Sequence, residues 1–248
     1  MMSAGARPGR GVTGRDRIRS MTVFTELDDE RLARTASCGA APGVPVLEAN
    51  GIRHSYGSKL VLDGVSLSVD AKEVVAIVGE NGAGKSTLMR ICAGLIRPDV
   101  GNVHVQGRVG YCPQIPGLFE LLNADEHLLL LAPALGLSER AVREQGHTLL
   151  SELGFPVGDS SPTRYLSGGA RQKLNLALAL LGGVRVLLLD EPYQGFDHGA
   201  YVSFWEHVSG WSAAGLGVVV VTHLLTDLTF VDRVVELAIP PGPRQTSR

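Results

Sequence analysis

The stretch Gly79-Glu80-Asn81-Gly82-Ala83-Gly84-Lys85-Ser86-Thr87 constrains this chain more than any other. It spells G-x-x-x-x-G-K-S, and its flanks supply the setting such a loop requires. Upstream, Val74-Val75-Ala76-Ile77-Val78 is a short apolar, β-branched run, the pattern of a parallel strand buried on both faces. Downstream, Ser86 to Ala93 sets Leu88, Met89, Ile91 and Cys92 at the spacing of a helix lying on that strand. A strand, a glycine-rich turn and a helix in that order bring successive backbone N–H groups onto phosphate oxygens, because glycine tolerates the tight curl. The helix N-terminus adds unpaired amides and the positive end of its dipole. Lys85 is then placed to reach the β- and γ-phosphates of a nucleotide, and the Ser86 hydroxyl to hold Mg²⁺.

With 248 residues, 44% of them apolar, the chain can bury one domain with a subdomain, or two small domains. A net charge of -2 supplies no global basic field, so no nucleic-acid partner is expected. Cys38, Cys92 and Cys112 show no metal-ligand spacing and suit a reducing compartment. The longest apolar runs, Leu128 to Ala132 and Val218 to Val221, fall well short of the ~20 residues of a spanning helix. The chain is therefore expected to be soluble, with any membrane role exercised through a partner.

Residues 1–45 differ from the rest. They carry Arg7, Arg10, Arg15, Arg17 and Arg19, then an acidic patch at Glu26, Asp28, Asp29 and Glu30, then a Gly/Pro/Ala segment. This reads as a disordered N-terminal tail, with a basic tail touching lipid or nucleic acid as the alternative, and it lacks the apolar core of a secretory signal. Met21 offers an alternative start. From Val46 onward, Val46 to Ala49, Leu60 to Leu62 and Val65 to Val69 read as strands, with Tyr56 and Gly57 in the connection between the first two. Tyr56 there either packs or stacks on a purine ring. Val103 to Val105 and Arg108 to Tyr111 read as strands around Gln106-Gly107. Asn123 with Glu126 is a capping box opening a helix, and Ser138-Glu139-Arg140 starts another that runs to about Leu153. Val184 to Leu189 and Gly217 to Val221 are buried strands, and Tyr201, Phe204, Trp205, Val208 and Trp211 line one face of a helix between them. The expected domain spans 46–239, with a helical subdomain over about 115–180 and a flexible tail at 240–248.

Leu187-Leu188-Leu189-Asp190-Glu191 sets two carboxylates at the C-terminal end of an apolar strand, where open parallel sheets bind ligands. Asp190 is placed to hold a Mg²⁺ shell, and Glu191 to orient or deprotonate the attacking water. Leu166-Ser167-Gly168-Gly169-Ala170 runs into Arg171-Gln172-Lys173 as a helix N-terminus with an open backbone. It reads either as an ordinary cap or as a second phosphate grip. One chain has no use for two grips on one triphosphate. Two chains arranged head to tail do, each lending this turn to the nucleotide held by the other's loop.

Taken in order, these motifs resemble the nucleotide-binding domain of ATP-binding-cassette (ABC) proteins over residues 46 to about 238. Tyr56 resembles the adenine-stacking A-loop, residues 79–87 the Walker A loop, Gln114 the Q-loop glutamine and residues 166–170 the signature turn. Asp190 and Glu191 resemble Walker B with its catalytic glutamate, Asp197 the D-loop aspartate and His223 the switch histidine, although His223 alone would read as a packing residue. The resemblance implies an α/β fold of the P-loop NTPase type: a mixed sheet with helices on both faces, an N-terminal antiparallel β-subdomain and a helical insertion. It implies that Glu191 and His223 are catalytic and that Tyr56, residues 79–87 and Gln114 bind ATP. Ser167, Gly168, Gly169 and Asp197 would reach that ATP from a partner protomer, and Ser86, Gln114 and Asp190 would hold Mg²⁺.

Implied partners are a separately encoded transmembrane permease subunit and a second nucleotide-binding domain, in a homodimer. The implied place is the cytoplasm, peripheral on the inner face of the cell membrane. The wording of Tyr165 to Gly169 and Ala177 to Leu181 is similar to single-domain ATPases of drug and peptide exporters. The transmembrane contact would fall near Gln114 to Leu122, with Leu118, Phe119, Leu121 and Leu122 as candidates. Ala170 stands where the family most often has Gln, Gln194-Gly195-Phe196-Asp197 keeps only the family's aspartate, and a short stretch from Gly101 to Gln114 predicts a trimmed antiparallel subdomain. A soluble ABC ATPase acting as an assembly factor is the alternative function. A nucleic-acid-handling ATPase is a third, opposed by the near-neutral charge and the lack of a long coiled coil.

Overall fold

The computed structural model describes residues 45–156, 158, 160–222 and 229–240. Residues 1–44 of the expected N-terminal tail, Cys38 among them, His223 and residues 241–248 lie outside these. Strands β1 (Leu47–Tyr56), β2 (Lys59–Val69) and β4 (Val100–Val105) form an antiparallel sheet in the order β2-β1-β4. Strands β3 (Val74–Val78), β5 (Arg108–Cys112), β6 (Val184–Asp190), β7 (Gly217–Val221) and β8 (Arg233–Glu236) form a parallel sheet in the order β5-β6-β7-β3-β8. The expected antiparallel and parallel portions are thus two sheets.

The alternation of side chains along the parallel strands divides the core in two. Val75, Ile77, Val186, Leu188, Val219 and Val221 pack toward the antiparallel sheet and helix α1 (Lys85–Cys92). Leu187, Leu189, Val218 and Val220 pack into the opposite core with helices α2 (Ala124–Leu135), α3 (Glu139–Glu152), α4 (Gly168–Leu180) and α5 (His198–Ala213). Both faces are covered, which is why β3, β7 and the Val186–Leu189 part of β6 read as unbroken apolar runs. The aromatic stripe expected in the last helix is real: Phe204, Trp205, Val208 and Trp211 of α5 are buried. The capping box of α2 is also formed, with Asn123 Oδ1 accepting from Glu126 N at 2.9 Å and Glu126 Oε2 from Asn123 N at 2.8 Å.

Two expected boundaries shift. Leu60 to Leu62 and Val65 to Val69 are one strand, β2. Tyr56 closes β1 opposite Lys59, leaving only Gly57 and Ser58 as the hairpin loop; Gly57, at φ 60°, supplies the backbone conformation a two-residue turn demands. The runs around Gln106-Gly107 do not pair with each other, because β4 joins β1 whereas β5 joins β6. Strand β8 has no counterpart in the sequence reading. Polar contacts seat it: Asp232 Oδ2 accepts from Val74 N at 2.8 Å and Arg233 Nε donates to Glu73 Oε1 at 2.9 Å.

Among the described residues no helix is long and apolar enough to cross a membrane. Cys92 and Cys112 are free and buried. Burial pushes the Cys92 thiol up to about 12 and the Cys112 thiol further up, so both stay protonated and inert.

Candidate functional site

The loop between β3 and α1 is built on backbone that only glycine adopts readily. Gly79, Gly82 and Gly84 have φ of 147°, 87° and 91°. The loop is also pressed from two sides: a Cβ on Gly79 would stand 2.4 Å from the Leu237 carbonyl oxygen, and one on Gly84 2.8 Å from Leu62 Cδ2. Inside the curl, Lys85 is 6% exposed, and its Nζ donates to the carbonyls of Gly79 at 2.7 Å and Glu80 at 3.0 Å. Its ammonium is therefore held within the phosphate cradle.

Strand order brings the other groups alongside. β7 lies between β3 and β6, with Val221 opposite both Ile77 and Asp190. Thr222, which follows β7, is fully buried, donates its N–H to Ile77 O at 3.2 Å and shares a hydrogen bond with the Tyr193 hydroxyl. His223 is the next residue and falls outside the described residues.

At the end of β6, Asp190 is 2% exposed, and its Oδ1 has no hydrogen-bond partner among the described residues. Its carboxyl titrates above the usual range, chiefly because of burial and also because of the neighbouring Glu191 charge. The Ser86 hydroxyl, Arg90 and Tyr111 pull it down. A folded-state pKa above the unfolded value means that the ionised form costs stability near neutrality, and protonation at lower pH removes that cost. An orphaned, buried carboxylate oxygen beside the Ser86 hydroxyl fits a divalent cation. Asp190→Asn is accordingly expected to melt at a higher temperature than the wild type without nucleotide, and to lose the Mg²⁺-dependent part of its stabilisation by ATP. Thermal melts with and without Mg²⁺ check this, and an undiminished Mg²⁺ effect contradicts it.

Glu191 sits in the left-handed backbone region at φ 48°, unusual for a residue with a side chain. Its N–H donates to Val221 O at 3.2 Å, and its Oε2 accepts from Gln114 Nε2 at 3.0 Å. The structure thus joins Gln114, after β5, to Glu191, after β6. The expected signature turn is the N-terminus of α4, with Ser167 as its cap, Oγ accepting from Ala170 N at 3.2 Å. Ser167 and Gly168 are exposed, and a Cβ on Gly168 would meet no atom within 4 Å, so the backbone lies open. Asp197 caps α5, with Oδ1 accepting from Ala200 N at 2.8 Å. Tyr56 is 49% exposed, its ring edge-on to His54 at 4.9 Å.

Three groups escape the sequence reading. His127 is buried, with Nε2 accepting from Phe119 N at 2.9 Å and Nδ1 donating to Asn123 O at 2.7 Å. Thr163 Oγ1 donates to Phe119 O at 2.9 Å. Together they fasten the segment after Gln114 from behind. Gln194, noted only as a departure from the family's wording, donates to Glu191. Of the three, His127 alone carries a local signal, a histidine four residues past the Asn123 cap.

Residues 62–194 match the family described as ABC transporter, a span that includes the phosphate loop, Gln114, the Ser167–Gly169 turn, Asp190 and Glu191. The chain belongs to that family. Tyr56, Asp197 and His223 lie outside the matched span. The lipopolysaccharide export system ATP-binding protein LptB of Acidithiobacillus ferridurans is 33% identical over 192 residues, covering 72% of this chain and 80% of LptB. Nod factor export ATP-binding protein I of Ralstonia nicotianae is 32% identical, covering 75% of this chain and 63% of that protein. Human phospholipid-transporting ATPase ABCA7 is 34% identical over 86% of this chain, and the chain spans 10% of the length of ABCA7. A solved ATP-binding subunit of an ABC transporter superposes with a TM-score of 0.71 at 32% identity, over 79% of this chain and 88% of that one. A bacterial ABC transporter cassette solved as a dimer shares the fold, with a TM-score of 0.71 at 23% identity over 79% of this chain and 97% of its own. As an ABC cassette, the chain is an α/β ATPase that binds and hydrolyses ATP.

Proposed function

We propose that two copies of this chain close head to tail around two ATP molecules, and that hydrolysis drives export through a separate transmembrane subunit. The observation that carries this reading is the 3.0 Å hydrogen bond from Gln114 Nε2 to Glu191 Oε2. It ties the segment that faces outward to the group placed to act on water. Beyond Gln114, Ile115 is 81% exposed, Phe119 63% and Leu121 69%. These are large apolar side chains, the Phe119 backbone being held by the bonds of His127 and Thr163, and they suit a protein partner. Leu118 and Leu122 of the expected set are half-buried, and Leu118 packs against the core, so Phe119, Leu121 and Ile115 carry the proposed contact.

Within each cassette, residues 79–87 bind the triphosphate, Lys85 supplies positive charge to it, and Tyr56 stacks on the base. Glu191 takes the proton from the attacking water, and His223 has the role of positioning the γ-phosphate. Ser86, Gln114 and Asp190 hold Mg²⁺, which when bound neutralises charge on the triphosphate. Ser167, Gly168, Gly169 and Asp197 reach the nucleotide of the partner protomer. The export direction rests on the relatives that serve Nod factor and lipopolysaccharide export. The cassette would work in the cytoplasm, on the inner face of the membrane. Affinity purification of Glu191→Gln from detergent-solubilised membranes, with and without MgATP, tests the partnership. A stoichiometric polytopic membrane protein is the expected result. Recovery with cytosolic proteins alone would instead make the chain a soluble assembly factor.

A further inference from the structure

Gln194 stands in the segment between β6 and α5, and its Nε2 donates to Glu191 Oε2 at 3.0 Å. Gln114 reaches the same oxygen at 3.0 Å from the segment after β5. Two carboxamides from different parts of the chain therefore converge on one carboxylate oxygen. The backbone of Glu191 is fixed by its left-handed turn at φ 48°, whereas its side chain has staggered alternatives at χ1 and χ2 and a broad range at χ3, the torsion that sets the carboxylate plane. The two donors select among them.

Gln194 is itself held by what flanks it. Tyr193 bonds to Thr222 and packs edge-on against Phe204 at 6.0 Å. Phe196 N donates to Tyr193 O at 3.0 Å, and the Phe196 ring lies 6.2 Å from Phe204. Gly195 rests against the start of α4: a Cβ on Gly169 would stand 3.3 Å from the Gly195 carbonyl oxygen. The turn that presents Gln194 is thus clamped between α4 and the aromatic face of α5.

We propose that Gln194 is a positioning residue for Glu191, fixing the carboxylate plane in the orientation from which it accepts a proton. The proposal rests on the reading of Glu191 as the general base. Gln194 acts through Glu191 and needs no contact with nucleotide.

The test is steady-state ATP turnover of the full chain carrying Gln194→Met, which keeps length and loses the donors, or Gln194→Glu, which keeps shape and sets a second acceptor against Glu191. Each is made in the wild type and in Glu191→Gln. Gln194 is exposed, so both variants are expected to fold, with melting temperatures that match their parents. In the wild-type background kcat should fall about tenfold for Gln194→Met and further for Gln194→Glu, with KM for ATP changed by less than about twofold. In the Glu191→Gln background Gln194→Met should leave the residual turnover unchanged, because the group it orients is gone. Equal fractional losses in both backgrounds, full activity of Gln194→Met, or a loss expressed in KM would overturn the proposal while leaving Glu191 as the base. Wild-type turnover by Glu191→Gln alone would overturn the general-base reading, and this proposal with it.

Discussion

Glu191→Gln is expected to keep ATP affinity and to lose hydrolysis by about 10²- to 10⁴-fold, the range over which a positioned general base accelerates proton transfer. The substitution preserves shape and replaces only the ability to take a proton. A carboxamide oxygen at the Oε2 position still accepts from both Gln114 and Gln194. The left-handed backbone at φ 48° and the N–H bond to Val221 O do not depend on the side chain's charge. Binding should therefore separate from turnover. Phosphate release measured beside nucleotide affinity decides the matter, and undiminished release would remove Glu191 from the chemistry.

Lys85→Ala is expected to fail at the earlier step. The ammonium is 6% exposed and held by the carbonyls of Gly79 and Glu80, so its positive charge is fixed within the loop. Hydrogen bonds to charged groups contribute about 1.5–3 kcal/mol each, so losing one contact to the triphosphate weakens binding by about 10- to 150-fold. Removing the side chain also takes this donor from the Gly79 carbonyl, whereas Glu80 O keeps the Ala83 N–H at 3.2 Å, so the loop loses part of its internal bonding before nucleotide arrives. Titration calorimetry should show the weakened affinity, with circular dichroism confirming an intact fold. Unchanged affinity would mean that the backbone cradle alone holds the phosphates.

Residues 74–92 are legible because each signal there is local: a β-branched run, glycines at the bend, and helical spacing immediately after. The core strands β6 and β7 are legible for the same reason. Their burial on both faces leaves Arg185 as the one polar residue within either run, ahead of the Asp190 that ends β6. Pairing is harder to read. Nothing in Gln106-Gly107 tells β4 to go one way and β5 the other, since that choice is made by β1 and β6. β8 is hidden because its four residues begin with Arg233 and end with Glu236, and contacts to Glu73 and Val74 seat it from far away in sequence. In the site, the placement of Asp190 and Glu191 at a strand end follows from an apolar run that stops at two carboxylates. The meeting of Gln114 with Glu191 spans 77 positions, and only the adjacency of β5 and β6 brings it about. Gln194 looks like a mere departure in wording until its donor is seen beside that of Gln114.

The position of β7 between β3 and β6 turns the sheet into a gauge. Neighbouring strands stand about 4.8 Å apart, so two steps across the sheet set the strand ends bearing the phosphate loop and Asp190 at roughly 10 Å. That interval is a property of backbone pairing and is indifferent to which apolar side chains fill the layers above and below. Such a site tolerates wide drift in its core sequence while its working distances stay put. Inserting or deleting a strand at that point would change the spacing by a whole step, with no intermediate available.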